Sequence, residues 1–269
     1  MTEGRAEEAG LYVYAVVPGN LKETDLGTGI DGAPLELIAG GEGIAAVVHR
    51  HIGAPYSGDD EDARRRVLEH GEVVERCWAH GRSVLPMGFN VIVVPGEGES
   101  AEDRLRAWLR ESAADLSGRL TALTGLVELR VEISLDERSA ALRNEEVRKL
   151  EAEIGERPPG VQRLLQRRLA SLQQGAAEEL ADRLYPEYRR RLAALAVDLA
   201  ENVRGHPPAG CVTVLNVAVL TREPDIPRLG AELGDIEAQE PAARVTFLGP
   251  WPPFSFADAP HSPSVEWTA

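Results

Sequence analysis

Two kinds of hydrophobic pattern alternate along this chain, and the alternation limits it to folds that combine sheets with helices. The segment 11–17, LYVYAVV, is β-branched and aromatic without a helical period, which predicts a buried strand. Over 59–79 apolar residues recur every three or four positions, which predicts an amphipathic helix. The same change recurs later, where 126–135 alternates like a half-buried strand and 140–204 is helical in character. We therefore expect an α+β chain with mixed or antiparallel sheets.

The remaining elements follow from the same signals. The glycine-rich stretch 40–43 lacks the Lys-Ser/Thr of a phosphate loop, so it predicts a tight turn between strands at 35–38 and 44–48. The region 140–204 reads as a long helical insertion, with a break at 157–160 and a kink near Pro186. Further strands are predicted at 83–94, 211–220 and 243–248, and further helices at 101–124 and 226–238.

This pattern predicts two subdomains. We expect a disordered N-terminus over 1–10, an α+β domain over 11–125, a second α+β domain over 126–256 that carries the helices 140–204, and a C-terminal tail over 257–269. Gly125 marks the predicted boundary, because it separates a helical pattern from a strand pattern.

Composition narrows the range of partners. The chain has 29 basic and 44 acidic residues, a formal charge of 29 − 44 = −15, which repels nucleic acid and anionic lipid surfaces. No apolar run is long enough for a membrane helix, and the start of the chain is acidic, so we expect a cytoplasmic protein. Cys77 and Cys211 lie far apart and form no CxxC motif.

Few residues suggest chemistry. His49 and His51 form a His-x-His pair on a strand, which could bind a metal, but the sequence names no third ligand and a solvated strand end is the simpler interpretation. His70 lies on the apolar stripe of the predicted helix, where a hydrogen-bonded core histidine is more common than a general base. We predict no catalytic residue, no cofactor and no metal site.

The segment 249–256, GPWPPFSF, is the most distinctive in the chain. Its prolines restrict the backbone, and its aromatic rings offer large apolar area. The rings could pin the last strand to its own domain or bind a partner, and both roles are compatible. The candidate anchor or partner-binding residues are Trp251, Pro252, Pro253, Phe254 and Phe256.

Together with the strand before it, this segment forms Val245–Phe256 (VTFLGPWPPFSF). This stretch resembles the C-terminal signature of the gas vesicle protein L/F family. Five earlier segments resemble family segments in the same order: 12–17, 29–34, 44–48, 70–75 and 84–89. The chain departs from the family at Asn90-Val91, where the family usually has Gly-Thr.

The resemblance implies a two-domain α+β protein, one domain being a variant of the ferredoxin-like fold, without catalytic residues or cofactor. It implies an accessory or minor structural protein of gas vesicle assembly that binds the hydrophobic shell subunit (gas vesicle protein A) and other accessory gas vesicle proteins. The main alternative is a small-molecule-binding enzyme or regulatory domain on a ferredoxin-like fold, which would use His49, His51 and His70. A coiled-coil scaffold over 140–204 is less favoured, because sustained heptads are missing.

Overall fold

A computed structural model describes residues 9–201 and 207–257 of the chain. The predicted disordered N-terminus and the predicted tail lie almost entirely outside these residues. The described residues divide into two compact units, one of 9–127 together with 251–257, and the other of Glu128–Pro250. The sequence assigned the segment after Pro250 to the second domain, whereas the structure places it with the first unit.

The first unit contains an antiparallel sheet. Its strands are β1 (Gly10–Pro18), β2 (Glu36–Gly41), β3 (Ile44–His51), β4 (Leu85–Pro86) and β5 (Ile92–Val93). The order is β2-β3-β1-β4, and β5 also pairs with β1. The predicted hairpin between β2 and β3 turns at Glu42-Gly43, where both residues have positive φ, as a type I′ turn requires.

The predicted continuous strand over 83–94 is wrong, since only its two ends are paired as β4 and β5. An irregularity in the backbone separates these ends: Asn90 has a φ of 67°, which an extended strand cannot contain.

Three helices complete the first unit: α1 (Asp60–Gly81), α2 (Ala101–Glu111) and α3 (Ala113–Ala122). The side chain of Asp59 caps α1 by accepting hydrogen bonds from the amides of Glu61 and Asp62. Val73, Val74 and Cys77 of α1 are fully buried in the core that includes β1. The single helix predicted over 101–124 is interrupted at Ser112, whose ψ of 3° is not helical.

The second unit follows a β-α-β-β-α-β succession. Its strands are β6 (Leu126–Asp136), β7 (Asp198–Glu201), β8 (Cys211–Arg222) and β9 (Ala243–Trp251), in the order β7-β8-β6-β9. The helices α4 (Glu137–Ala141), α5 (Glu145–Ile154) and α6 (Pro159–Ala193) lie between β6 and β7, and α7 (Ile226–Gln239) lies between β8 and β9. The first and third strands of the unit occupy the centre, which is the ferredoxin-like arrangement. The predicted α+β class, with two sheets and a long helical insertion, is confirmed.

The structure corrects two predictions about the second unit. Within the predicted helical region, α6 ends at Ala193, and Leu199 pairs with Val219 because β7 completes the edge of the sheet. The last residues of that prediction, 202–204, lie outside the described residues. Pro186 lies inside α6 without ending it. The alternation of β6 is also incomplete, because Glu128 and Ser134 are buried where a wet face was predicted.

Candidate functional site

The segment 249–256, called the aromatic–proline segment below, is held in place by its prolines. Pro252 and Pro253 are buried, Trp251 and Phe256 are half-buried, and Phe254 is 44% exposed. The amide of Phe254 donates to the carbonyl of Pro252 at 2.7 Å, and the amide of Phe256 donates to that of Pro253 at 3.2 Å. The segment therefore forms a short turn with a fixed base that presents the ring of Phe254 to solvent.

The glycine that precedes this segment has a geometric role. Gly249 has a φ of 121°, which side-chain-bearing residues rarely adopt. A Cβ atom at this position would also lie 2.9 Å from the carbonyl oxygen of Glu128 and 2.9 Å from a methyl group of Leu129. The close approach of β9 to β6 therefore requires glycine here.

The three histidines singled out by the sequence come together in the first unit, within a cluster of tyrosine rings. The hydroxyl of Tyr12 lies 2.9 Å from Nδ1 of His70 and accepts a hydrogen bond from the amide of Asn90 at 3.1 Å. Nε2 of His70 lies 3.1 Å from the carbonyl oxygen of Met87. A carbonyl can only accept, so Nε2 carries the proton and Nδ1 accepts from Tyr12.

A second chain of hydrogen bonds runs through His49. The hydroxyl of Tyr14 accepts from the amide of Ile30 at 2.8 Å and lies 2.8 Å from Nδ1 of His49. Nε2 of His49 lies 3.2 Å from the hydroxyl of Tyr56. Both ring nitrogens of His49 therefore have a hydroxyl partner, and a hydroxyl can donate to or accept from either of them.

The other members of the cluster fix a loop against the sheet. Nε2 of His51 lies 2.8 Å from the carbonyl oxygen of Ala54, which makes it the donor. The side-chain amide of Asn90 accepts from the backbone N–H of Tyr56 at 3.0 Å and donates to its carbonyl at 2.9 Å. The guanidinium of Arg66 lies 5.1 Å from the centre of the Tyr56 ring, a cation–π distance.

Burial sets the protonation of these groups. Loss of hydration lowers the pKa of His70 to about 4, against a smaller opposing effect from the Met87 carbonyl. Burial likewise lowers the pKa of His49 to about 4, and the neighbouring His51 lowers it further. Burial also raises the pKa of the Tyr12 and Tyr14 hydroxyls well above the usual range. At neutral pH the side chains of His49, His70, Tyr12 and Tyr14 are therefore uncharged.

This geometry favours a structural role for the histidines. Each ring nitrogen of His49 and His70 has a partner within the cluster, so neither ring presents a free lone pair to a ligand. In the part of the chain that the structure describes, no group of three or more His, Cys, Asp or Glu side chains is placed to hold a metal ion. Over the same residues, no helix is both long and apolar enough to cross a membrane.

Sequence reasoning missed two members of this cluster. Tyr56 lies in an irregular segment without periodicity, so no pattern placed it near the histidines. Asn90 carried a signal, because the family that the sequence resembles has Gly-Thr where this chain has Asn90-Val91. Its positive φ explains this exchange, since asparagine tolerates the left-handed conformation better than most residues.

Known proteins share both the sequence pattern and the fold. The family model described as gas vesicle synthesis protein GvpL/GvpF matches residues 10–258. Gas vesicle protein L1 of Halobacterium salinarum is 27% identical, over 95% of this chain and 92% of its own length. Gas vesicle protein L of a Streptomyces species is 29% identical, over 91% of this chain and 92% of its own length.

Solved structures agree with this sequence relationship. The crystal structure of the gas vesicle protein GvpF from Anabaena sp. PCC7120 superimposes with a TM-score of 0.67 at 19% identity, covering 95% of this chain and 98% of its own. GvpF from Microcystis aeruginosa gives a TM-score of 0.64 at 17% identity, covering 93% of this chain and 99% of its own. These structures share the fold. Because the family model spans nearly the whole sequence, this chain belongs to the gas vesicle synthesis protein GvpL/GvpF family.

Proposed function

We propose that this chain is an accessory or minor structural protein of gas vesicle assembly, which works in the cytoplasm and at the gas vesicle. In this role it binds the hydrophobic shell subunit (gas vesicle protein A) and other accessory gas vesicle proteins. The observation that supports binding is the position of Phe254, a large apolar ring that is 44% exposed on a turn fixed by two buried prolines.

A physical argument connects this ring to the shell subunit. A subunit that must exclude water on one face is prone to aggregate before it is assembled, because its apolar surface lacks a partner. An aromatic ring on a rigid support binds such a surface at little cost in conformational entropy. The net charge of −15 keeps the accessory protein itself in solution.

Co-expression with the shell subunit, followed by pull-down, tests the proposal. We expect the wild-type chain to retain the shell subunit and Phe254→Ala to retain about tenfold less, with an unchanged melting temperature. Leu68→Ala is the matched control, because Leu68 is an exposed apolar residue of α1, 67% accessible, outside the aromatic–proline segment. Failure of the wild-type chain to retain the shell subunit would contradict the proposed function.

The double variant Trp251→Ala with Phe254→Ala separates binding from anchoring. Trp251 is half-buried, so its removal is expected to lower the free energy of unfolding by about 1 to 3 kcal/mol, less than a fully buried tryptophan would. A double variant with wild-type stability and wild-type binding would show that the segment has neither role.

We further propose that the chain is not an enzyme. The alternative, a small-molecule-binding enzyme or regulatory domain, would need accessible ring nitrogens on His49 or His70, and these atoms are hydrogen-bonded inside the cluster. Thermal-shift measurements with divalent metals and nucleotides discriminate between the two. A ligand at one hundred times its dissociation constant stabilises a protein by about 2.7 kcal/mol, so a clear rise in melting temperature would support the alternative.

A further inference from the structure

The edges of the two sheets differ in how they are protected. Edge strands expose unpaired backbone groups, and proteins usually protect them with charges, short length or a covering element. In the second unit, β7 is only four residues long and has acidic residues at both ends, Asp198 and Glu201. In the first unit, β4 and β5 have two residues each, and β2 begins at Glu36 and has the amide of Leu37 bonded to a carboxylate oxygen of Glu23 at 3.1 Å.

The edge strand β9 carries a charge only near its start, at Arg244. It is nine residues long, and its part from Val245 to Trp251 contains no charged side chain. Phe247 is 36% exposed and Leu248 is 49% exposed, so consecutive residues on opposite faces of the strand both present apolar surface. Such an edge is favourable for pairing with another strand.

The backbone hydrogen bonds of β9 also indicate an edge that can pair with another strand. The amide of Val245 turns away from β6 and donates to a carboxylate oxygen of Glu237 on α7 at 3.0 Å. Backbone direction alternates along a strand, so the next amide that faces this outer edge is that of Phe247. Among the described strands, β6 is the neighbour of β9, and no strand lies on its other side. Further along, Gly249 has a φ of 121°, which departs from strand geometry and marks the end of the regular edge.

We infer that the β9 edge, Val245–Leu248, binds an extended, uncharged segment of the shell subunit by adding it to the sheet as a fifth strand. This inference rests on the proposed function and adds a second contact surface to the turn that carries Phe254. Main-chain hydrogen bonds supply the register, and Phe247 and Leu248 contact apolar side chains on the two faces of the incoming strand. An uncharged segment suits this edge, because a charged one would lose hydration without finding an opposite charge between Val245 and Trp251.

Two variants of Phe247 separate the side-chain from the main-chain contribution. Phe247→Ala removes the ring and keeps the amide, and we expect about tenfold weaker binding of the shell subunit. Phe247→Pro also removes the outward amide, which an edge strand tolerates, and we expect a further loss of about fivefold. Melting temperatures show whether each variant is folded. If the proline variant does not fold, Leu248→Lys tests the same edge. It keeps every amide and adds a charge, and we expect it to retain less of the shell subunit.

The outcomes distinguish this inference from the proposed function. If the wild-type chain retains the shell subunit and folded Phe247→Pro or Leu248→Lys retains it equally well, the β9 edge is not the binding surface, although the proposed function stands. If the wild-type chain retains nothing, the proposed function itself fails. Size-exclusion chromatography of the wild-type chain alone tests whether a second copy of the chain binds the β9 edge. A dimer that Phe247→Pro dissociates would show that it does, and would overturn the inference.

Discussion

At the scale of single residues, the buried Tyr–His pairs tie the first unit together through polar groups that have no access to water. The hydroxyl of Tyr14 serves two partners at once, the amide of Ile30 and Nδ1 of His49. A buried polar group that loses its partner costs more than the hydrogen bond contributes when present, because it was dehydrated on folding. Each of these hydroxyls therefore matters to stability out of proportion to its size.

Replacing Tyr14 with Phe should therefore be costly although it removes one oxygen atom. We expect the free energy of unfolding in urea to fall by about 2 to 4 kcal/mol, because two buried groups lose their partner. Tyr185→Phe is the control: Tyr185 is half-buried and its hydroxyl makes an exposed hydrogen bond to Glu201, so the free energy of unfolding should change by no more than about 0.5 kcal/mol. Equal effects of the two substitutions would contradict a buried network.

The same pairs predict how stability depends on pH. Because burial lowers the pKa of His49 and His70 to about 4 in the folded state, the unfolded chain binds protons more readily than the folded chain below pH 6.5. Stability should be full above pH 6.5 and fall as pH drops from 6.5 to about 4, by up to about 3 kcal/mol per histidine. Urea denaturation at several pH values measures this slope. In His70→Gln the slope should be about half as steep, and an unchanged slope would contradict the assignment.

At the scale of elements, local patterns predicted where most helices and strands lie, and contacts between strands decided where they are interrupted. The turn at Glu42-Gly43 depends on residues adjacent in sequence, and a tight turn was predicted there. The interruption between β4 and β5 was not predicted. It depends on the bonds of Asn90 to Tyr56, which lies 34 positions away.

A pair of glycines tests this dependence on tertiary contacts. Gly249→Ala should lower the free energy of unfolding by more than about 2 kcal/mol, because the new methyl group would meet the backbone of β6 at a positive φ. Gly118→Ala should raise it by about 0.5 to 1 kcal/mol, because Gly118 lies inside α3 with open space around it. Thermal or urea denaturation of the two variants measures both changes in the free energy of unfolding. A stabilised Gly249→Ala variant would contradict the packing of β9 on β6.

At the scale of the whole molecule, the chain crosses between its two units twice. It leaves the first unit after Val127 and returns to it at Trp251. The predicted boundary at Gly125 assumed a single crossing, so it remains a prediction about where the chain can be divided. An inserted unit with its own sheet and helices meets the usual requirements for independent folding.

We therefore predict that a fragment of residues 128–250 folds by itself. Circular dichroism should show mixed helix and strand, and urea should unfold the fragment in one cooperative transition. The matched fragment 9–127 lacks the residues from Trp251 on and should be less stable than the same unit in the intact chain. A disordered 128–250 fragment would show that the second unit depends on the first.

The sequence by itself determined the α+β class, the positions of most elements and the family, because hydrophobic period, turn residues and short motifs are properties of neighbouring residues. Tertiary structure alone decided three matters. It converted residues 198–201 from predicted helix to strand through pairing with β8, it joined His49, His70 and Tyr56 in one buried cluster, and it placed the segment after Pro250 with the first unit. Each of these depends on contacts between residues far apart in sequence, whose energies no local pattern contains.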